Sequence, residues 1–317
     1  MQPILWVVDL PIIGKFTFTA YFTMLTLGFI FGILLMWREA TRTGVDSGKF
    51  LDLSMLVIIF SIIGARVLHV VADGQLSEYI NYCFAPQQLR VTEGMPATCT
   101  LHAHCGDFFK CFKPEGYCHE PRDCLKVFKI WEGGLVYYGG FLGAMLLTLY
   151  YILKHKLQLW RLADLSGFGV SLGLFWGRMG CFLTGCCFGK VTDSPLGWVF
   201  PKPGAVWKHQ LEAGLVQATA AHPLPVHPTQ LYSALLNLGI FFVCYYWVRP
   251  RRRFDGEIFW WFVILKAVTR AIVEFFRDDD RGAVLLLSTS QFVSLALFLL
   301  AVYMLRRCKR VARRKTA

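Results

Sequence analysis

The chain has 317 residues, 55% of them apolar and 17% charged, with a net charge of +12. A mean hydropathy of +0.46, with apolar residues in long runs, excludes an ordinary soluble domain and defines a polytopic membrane protein. The positive charge lies in short stretches between apolar runs, which reads as a topology signal and not as a nucleic-acid surface.

The N-terminal stretch MQPILWVVDLPIIG lacks the basic region of a cleavable leader, so the first span is expected to remain in the mature protein. A bilayer core takes about 20 mainly apolar residues per helix. Seven segments meet that length: Phe16–Trp37, Leu51–Val71, Leu135–Leu153, Leu162–Leu183, Leu231–Val248, Ile258–Phe276 and Ser288–Leu305. The expected fold is therefore all-α, with about seven transmembrane helices. Its parts are 1–72 with two spans, a Cys-rich loop 73–134, five further spans over 135–305 with a loop 186–230, and a basic tail 306–317.

The connections alternate in charge. Arg38, Arg42 and Lys49, then Lys154, Lys156 and Arg161, then Arg249 and Arg251 to Arg253, mark the first, third and fifth. With the tail they hold 17 of the 33 Lys and Arg, against 11 in the longer alternate loops. The N-terminus is thus expected outside and the C-terminus in the cytoplasm. Cysteine usage points the same way. Cys83, Cys99, Cys105, Cys111, Cys118 and Cys124 fall in the loop assigned to the outer side, where an even number of close cysteines suggests disulfides. Zinc is the competing reading, helped by His102, His104 and His119, but the CxxC pairs usual for zinc are missing.

Arg66, Arg178, Lys266 and Arg270 lie inside the apolar spans. A charge in hydrocarbon costs on the order of 2.5–3.5 kcal/mol, so it faces a partner, a cavity or a ligand. The three arginines fall at one depth in the outer half, joined by Tyr21, Tyr137, Tyr138, His227, Gln230 and Tyr232 at the outer ends of other spans. Snorkelling accounts for one such arginine more readily than for three. On the sixth span Arg270, Glu274 and Arg277 share a face, so an Arg270–Glu274 pair is expected. Gly169, Gly173 and Gly177 recur every four residues, a close-packing pattern. Gly180, Gly185 and Gly189, and Gly133, Gly134, Gly139, Gly140 and Gly143 around the two tyrosines, read as backbone open to a ligand. Cys181, Cys186 and Cys187 read first as small packing residues; a strained vicinal bridge and a relay thiol are the alternatives.

At these motifs the chain resembles the prolipoprotein diacylglyceryl transferase family. Tyr21, GARVLHVV around Arg66, WEGGLVYYGG, GRMGCFLTGCCFGK, HPTQLY from His227 and RAIVEFFR from Arg270 occur in the family's order. The resemblance implies an enzyme of a bacterial inner membrane with its active site toward the periplasmic leaflet. It would move the diacylglyceryl group of phosphatidylglycerol onto the lipobox cysteine of a preprolipoprotein, forming a thioether. No metal and no cofactor is expected. Arg178 and Arg270 would neutralise the leaving phosphate. Arg66, Arg178, Tyr21, Gly139, Gly140, Gly189, Gln230, Tyr232, Glu274 and Arg277 would hold the lipid. Where the family carries a histidine after the third span's glycines this chain has Tyr138, so the base is Tyr138 or His227. An organic-anion transporter or channel is the alternative class, but the polar residues largely stop at mid-span. A thiol–disulfide oxidoreductase would need a CxxC pair.

Overall fold

A computed structural model describes residues 4–10, 14–72, 75–89, 99, 110–112, 116–129, 134, 136–277, 283–284 and 287–316. The protein is mainly helical, and the chain divides into two compact units, residues 51–157 and the remainder.

The larger unit opens with a hairpin that the apolar pattern does not announce. Strand β1 (Ile4–Leu10) pairs antiparallel with β2 (Gly14–Thr19), Val8 facing Phe16. The expected first span therefore starts four residues too early. KFTFT alternates and is rich in β-formers, and Thr19 caps the helix that follows by accepting from Phe22 N at 3.4 Å. That helix, α1, runs Ala20–Arg42, and α2 covers Ser47–Ala72. After the smaller unit come α5 (Leu159–Thr184), α6 (Ala205–Glu212), α7 (Thr229–Phe242), α8 (Glu257–Glu274), the β5–β6 pair (Ala283–Val284, Leu287–Ser288) and α9 (Thr289–Thr316). A π-type turn, Val243–Val248, prolongs α7. All seven expected spans thus fall on helices. Four of the helices, α1, α2, α7 with its extension, and α9, are long and apolar enough to cross a membrane.

Glycines let α1 and α5 approach. A Cβ on Gly28 would stand 3.0 Å from the Trp176 Cβ, one on Gly32 3.4 Å from the Gly169 carbonyl, and Phe31 stacks on Trp176 at 5.5 Å. Gly169 and Gly173 therefore do what the four-residue spacing suggests, whereas Gly177 faces open space. At the end of this unit remote from Arg270, two buried carboxylates tie helices together. Glu39 pairs with Arg249 at 2.6 Å, and Asp164 accepts from Gly256 N at 2.8 Å and Phe259 N at 3.0 Å, capping α8.

In the smaller unit α2 packs on α4 (Tyr137–His155). Gly64, Gly139 and Gly143 meet so closely that a Cβ on Gly139 would lie 2.2 Å from the Gly64 carbonyl. Gly139 and Gly140 are helical and packed, so their glycine character serves helix approach. Met55, Ile59, Ile63 and Val67 recur every four residues on α2 and are all exposed, as a lipid-facing stripe requires. Between the two helices lie α3 (Leu76–Phe84) and a short hairpin, β3 (Lys110–Phe112) with β4 (Tyr117–His119). Disulfides join Cys83 to Cys124 and Cys99 to Cys111, and Cys118 is disulfide-bonded as well. Cys105, His102 and His104 lie outside the described residues. The disulfide reading thus holds over the zinc reading for these five. In non-reduced cells, Cys83, Cys99, Cys111, Cys118 and Cys124 should resist an impermeant maleimide and take it up only after reduction. Labelling without reductant would contradict the pairing, and labelling only from the cytoplasmic side would reverse the topology.

Candidate active site

The smaller unit brings Arg66, Tyr137, Tyr138, Gly139 and Gly140 to one end. Arg66 is buried and its guanidinium is committed. Nε donates to the Val127 carbonyl at 2.7 Å, one terminal nitrogen to Lys126 O at 2.7 Å, the other to Gly134 O at 3.1 Å. Its plane also lies 5.1 Å from the Tyr79 ring centroid. Arg66 thus clasps the returning arm of the Cys-rich loop to α2, an arrangement that an isolated GARVLHVV motif does not disclose. Each charge-assisted bond is worth about 1.5–3 kcal/mol. Arg66→Lys should therefore loosen residues 126–129, read as faster proteolysis there with the disulfides intact. Unchanged proteolysis with weakened lipid binding would instead mark Arg66 as a headgroup ligand. Tyr138 is 71% exposed, edge-on to Tyr137 at 5.8 Å, with no hydrogen bond among the described residues.

The larger unit gathers the other nine residues around the C-terminal ends of α5 and α8 and the N-terminal end of α7. A small cavity is lined by Arg178 of α5, Ser233 and Asn237 of α7, Lys266, Thr269 and Arg270 of α8, and Arg277 just beyond it. Four basic side chains line it, and among the described residues no carboxylate does. The spacings explain the convergence: 233 and 237, and 266 and 270, are one helical turn apart. Lys266 donates to Asn237 Oδ1 at 2.7 Å. Arg270 pairs with Glu274, as the four-residue spacing suggests, and donates to Ser290 Oγ at 2.8 Å; Glu274 also accepts from Ser288 Oγ at 2.9 Å. Glu274 therefore orients Arg270 from behind the cavity. Arg178 has no hydrogen bond or acidic partner among the described residues. Sequence reasoning noted Lys266 as a buried cation and passed over Ser233, Asn237 and Thr269. Their periodicity was the available signal.

The HPTQLY segment, which leads into Ser233, holds the chain just beyond the end of α5, Thr229 donating to the Cys187 carbonyl at 2.8 Å. His227 exchanges backbone bonds with Gly189 and Lys190, and Lys190 N reaches Phe276 O at 3.0 Å, so Gly189 sits in a narrow bridge opposite Arg277. A Cβ at Gly189 would lie 2.2 Å from the Phe276 carbonyl, so this glycine is spent on backbone approach. Gly180 likewise packs on the Tyr21 backbone, 3.2 Å from where its Cβ would be. Gly185 ends α5 in the left-handed region at φ 81°. Neither is open to a ligand as the sequence suggests. His227 is half-buried, its Nδ1 3.1 Å from the Tyr232 hydroxyl and its ring 5.1 Å from Phe276. Gln230 is fully buried and donates to the Cys186 carbonyl at 2.6 Å, so its amide nitrogen holds the protein and not a ligand. Tyr21 stands close enough to Arg178 and the three cysteines to interact electrostatically with them.

Helices long and apolar enough to cross a bilayer, with four basic side chains lining one cavity between them, define an integral membrane protein with charge held inside its apolar spans. The chain belongs to the prolipoprotein diacylglyceryl transferase family, whose model matches residues 8–307. It is similar to the phosphatidylglycerol–prolipoprotein diacylglyceryl transferase of Thermus thermophilus, 28% identical over 312 residues, which cover 93% of this chain and 96% of that protein. The transferase 2 of Clostridium perfringens is 27% identical over 278 residues, covering 87% and 85%. That of Geobacter sulfurreducens is 36% identical over 183 residues, covering 57% and 64%. The helices and the family together make this a multi-pass inner-membrane protein.

Proposed function

We propose that this chain transfers the diacylglyceryl group of phosphatidylglycerol to the lipobox cysteine of preprolipoproteins. The observation that supports it most is the cavity lined by Arg178, Lys266, Arg270 and Arg277, with no carboxylate among the described residues that line it. The lipid phosphate is bound there as a diester monoanion. As the thiolate sulfur bonds to the glyceryl carbon, the carbon–oxygen bond breaks and its electron pair leaves on glycerol phosphate. The charge that grows on the phosphate is what preorganised guanidinium groups stabilise, at about 2.7–4 kcal/mol for each such donor. Arg178 and Arg270 carry this role, with Glu274 holding Arg270 and Tyr21 beside Arg178. His227, oriented by Tyr232, takes the thiol proton.

In this reading the seven apolar helices span the bilayer, with the N-terminus and the disulfide-bonded loop outside and the basic tail in the cytoplasm. The cavity then opens toward the outer leaflet. The comparisons give the transporter alternative no support. Purified protein incubated with labelled phosphatidylglycerol and a lipobox peptide should yield the peptide plus a diacylglyceryl mass. A peptide of unchanged mass would reject the reading.

A further inference from the structure

The transferase reading leaves one cluster unused. Cys181 lies in the last turn of α5, and Cys186 and Cys187 follow it. Because Gly185 turns the chain back, with Gly185 N and Cys186 N bonding to Cys181 O at 2.9 and 3.2 Å, all three sulfurs come within 4.8 Å of one another. The backbone that carries them is held. Gln230 donates to Cys186 O at 2.6 Å and Thr229 to Cys187 O at 2.8 Å, both from buried side chains. Cys187 itself sits at φ 59°, a left-handed position that a residue of plain packing rarely occupies.

Zn–S bonds of about 2.3 Å place thiolates about 4 Å apart around one ion, a spacing these sulfurs reach by small side-chain rotations. Three thiolates and Zn²⁺ carry a net charge of about −1. Arg178 and Arg277 lie close enough to Cys187 to offset it. We propose that Cys181, Cys186 and Cys187 form a three-thiolate zinc site whose fourth position is open to the thiol of the acceptor peptide. The site departs from the metal-free expectation of the sequence.

The role of the fourth position rests on the transferase reading; the zinc site does not. The acceptor S–H gives its proton to the His227 imidazole and its sulfur binds zinc as thiolate, with no change of oxidation state. The sulfur then forms the bond to the glyceryl carbon as the carbon–oxygen bond breaks toward the phosphate. The thioether product, a weaker ligand, leaves the metal.

The test uses full-length protein exposed to Zn²⁺ alone, with bound metal measured by mass spectrometry. About one ion per chain is expected, with near-complete loss in Cys181→Ser, Cys186→Ser and Cys187→Ser and full retention in Cys308→Ser. Wild-type protein loaded with Co²⁺ provides a second readout that needs no variant to fold. It should show the intense visible bands of a tetrahedral thiolate site, and these should shift with a lipobox peptide but not with its Cys→Ser form. Binding no greater than in Cys181→Ser, or a disulfide among the three thiols, overturns the site. A Co²⁺ spectrum blind to the peptide thiol overturns the open position. Full transfer by zinc-free protein would overturn the role of the fourth position while leaving the transferase reading intact. Zinc binding without any transfer would uphold the zinc site and overturn the transferase reading.

Discussion

Replacing Arg178 or Arg270 with lysine is expected to lower diacylglyceryl transfer by on the order of 10²-fold or more, the usual effect of losing one preorganised donor. Lysine keeps the charge but not the planar two-donor fork that matches phosphate. The two sites should differ in detail. Arg178 has no hydrogen bond or acidic partner in the described protein, so Arg178→Lys should leave stability nearly unchanged. Arg270 is held by Glu274 and Ser290, so Glu274→Gln should reproduce part of the Arg270 loss by releasing the guanidinium. Rates with phosphatidylglycerol, alongside thermal melting of each variant in detergent, provide the check. Near-wild-type turnover for both lysine variants would remove the phosphate clamp.

The second large effect is expected at His227. His227→Ala should lower the rate near neutral pH by on the order of 10²–10⁴-fold, the range of general base catalysis. Part of it should return as pH rises toward about 8.5, where a free acceptor thiol ionises unaided. Tyr138→Phe should stay within a few-fold of wild type, because Tyr138 is largely exposed and has no hydrogen-bond partner among the described residues to aim its hydroxyl. Rates of both variants from about pH 6 to 9 cover the range in which thiol and imidazole change charge. Loss of activity in Tyr138→Phe together with a normal His227→Ala profile would transfer the base to the tyrosine. Tyr232→Phe removes the partner of His227 Nδ1 and should weaken the rate without abolishing it.

Much of the architecture was legible because a bilayer demands length and hydropathy, and both are read directly from residues. All seven apolar segments are helices. What escaped was short and local: the hairpin over 4–19, helix α3, the β3–β4 pair and α6, where a few residues gain their conformation from neighbours more than from any period. The Arg270–Glu274 pair was visible from spacing within one helix. The commitments of Arg66 and Gln230 were not, since their partners are backbone carbonyls between 44 and 68 residues away in the chain. Glycine was the least informative letter. At positions 139, 180 and 189 the sequence suggests room for a ligand, and the fold uses the absent Cβ to bring helix or strand backbones together.

The capping of α8 by Asp164 gives the cavity an anchor far from itself. The first turn of α8 is pinned through Gly256 N and Phe259 N, while Arg270 works fourteen residues further on. At about 1.5 Å per residue the two points are roughly 21 Å apart along a stiff rod. The rod transmits axial and rotational error with little loss, so the aim of the guanidinium is set at the opposite end of the helix. A disturbance at Asp164, which also lies 3.8 Å from Arg252, thus reaches the cavity through the helix and not through the cavity itself.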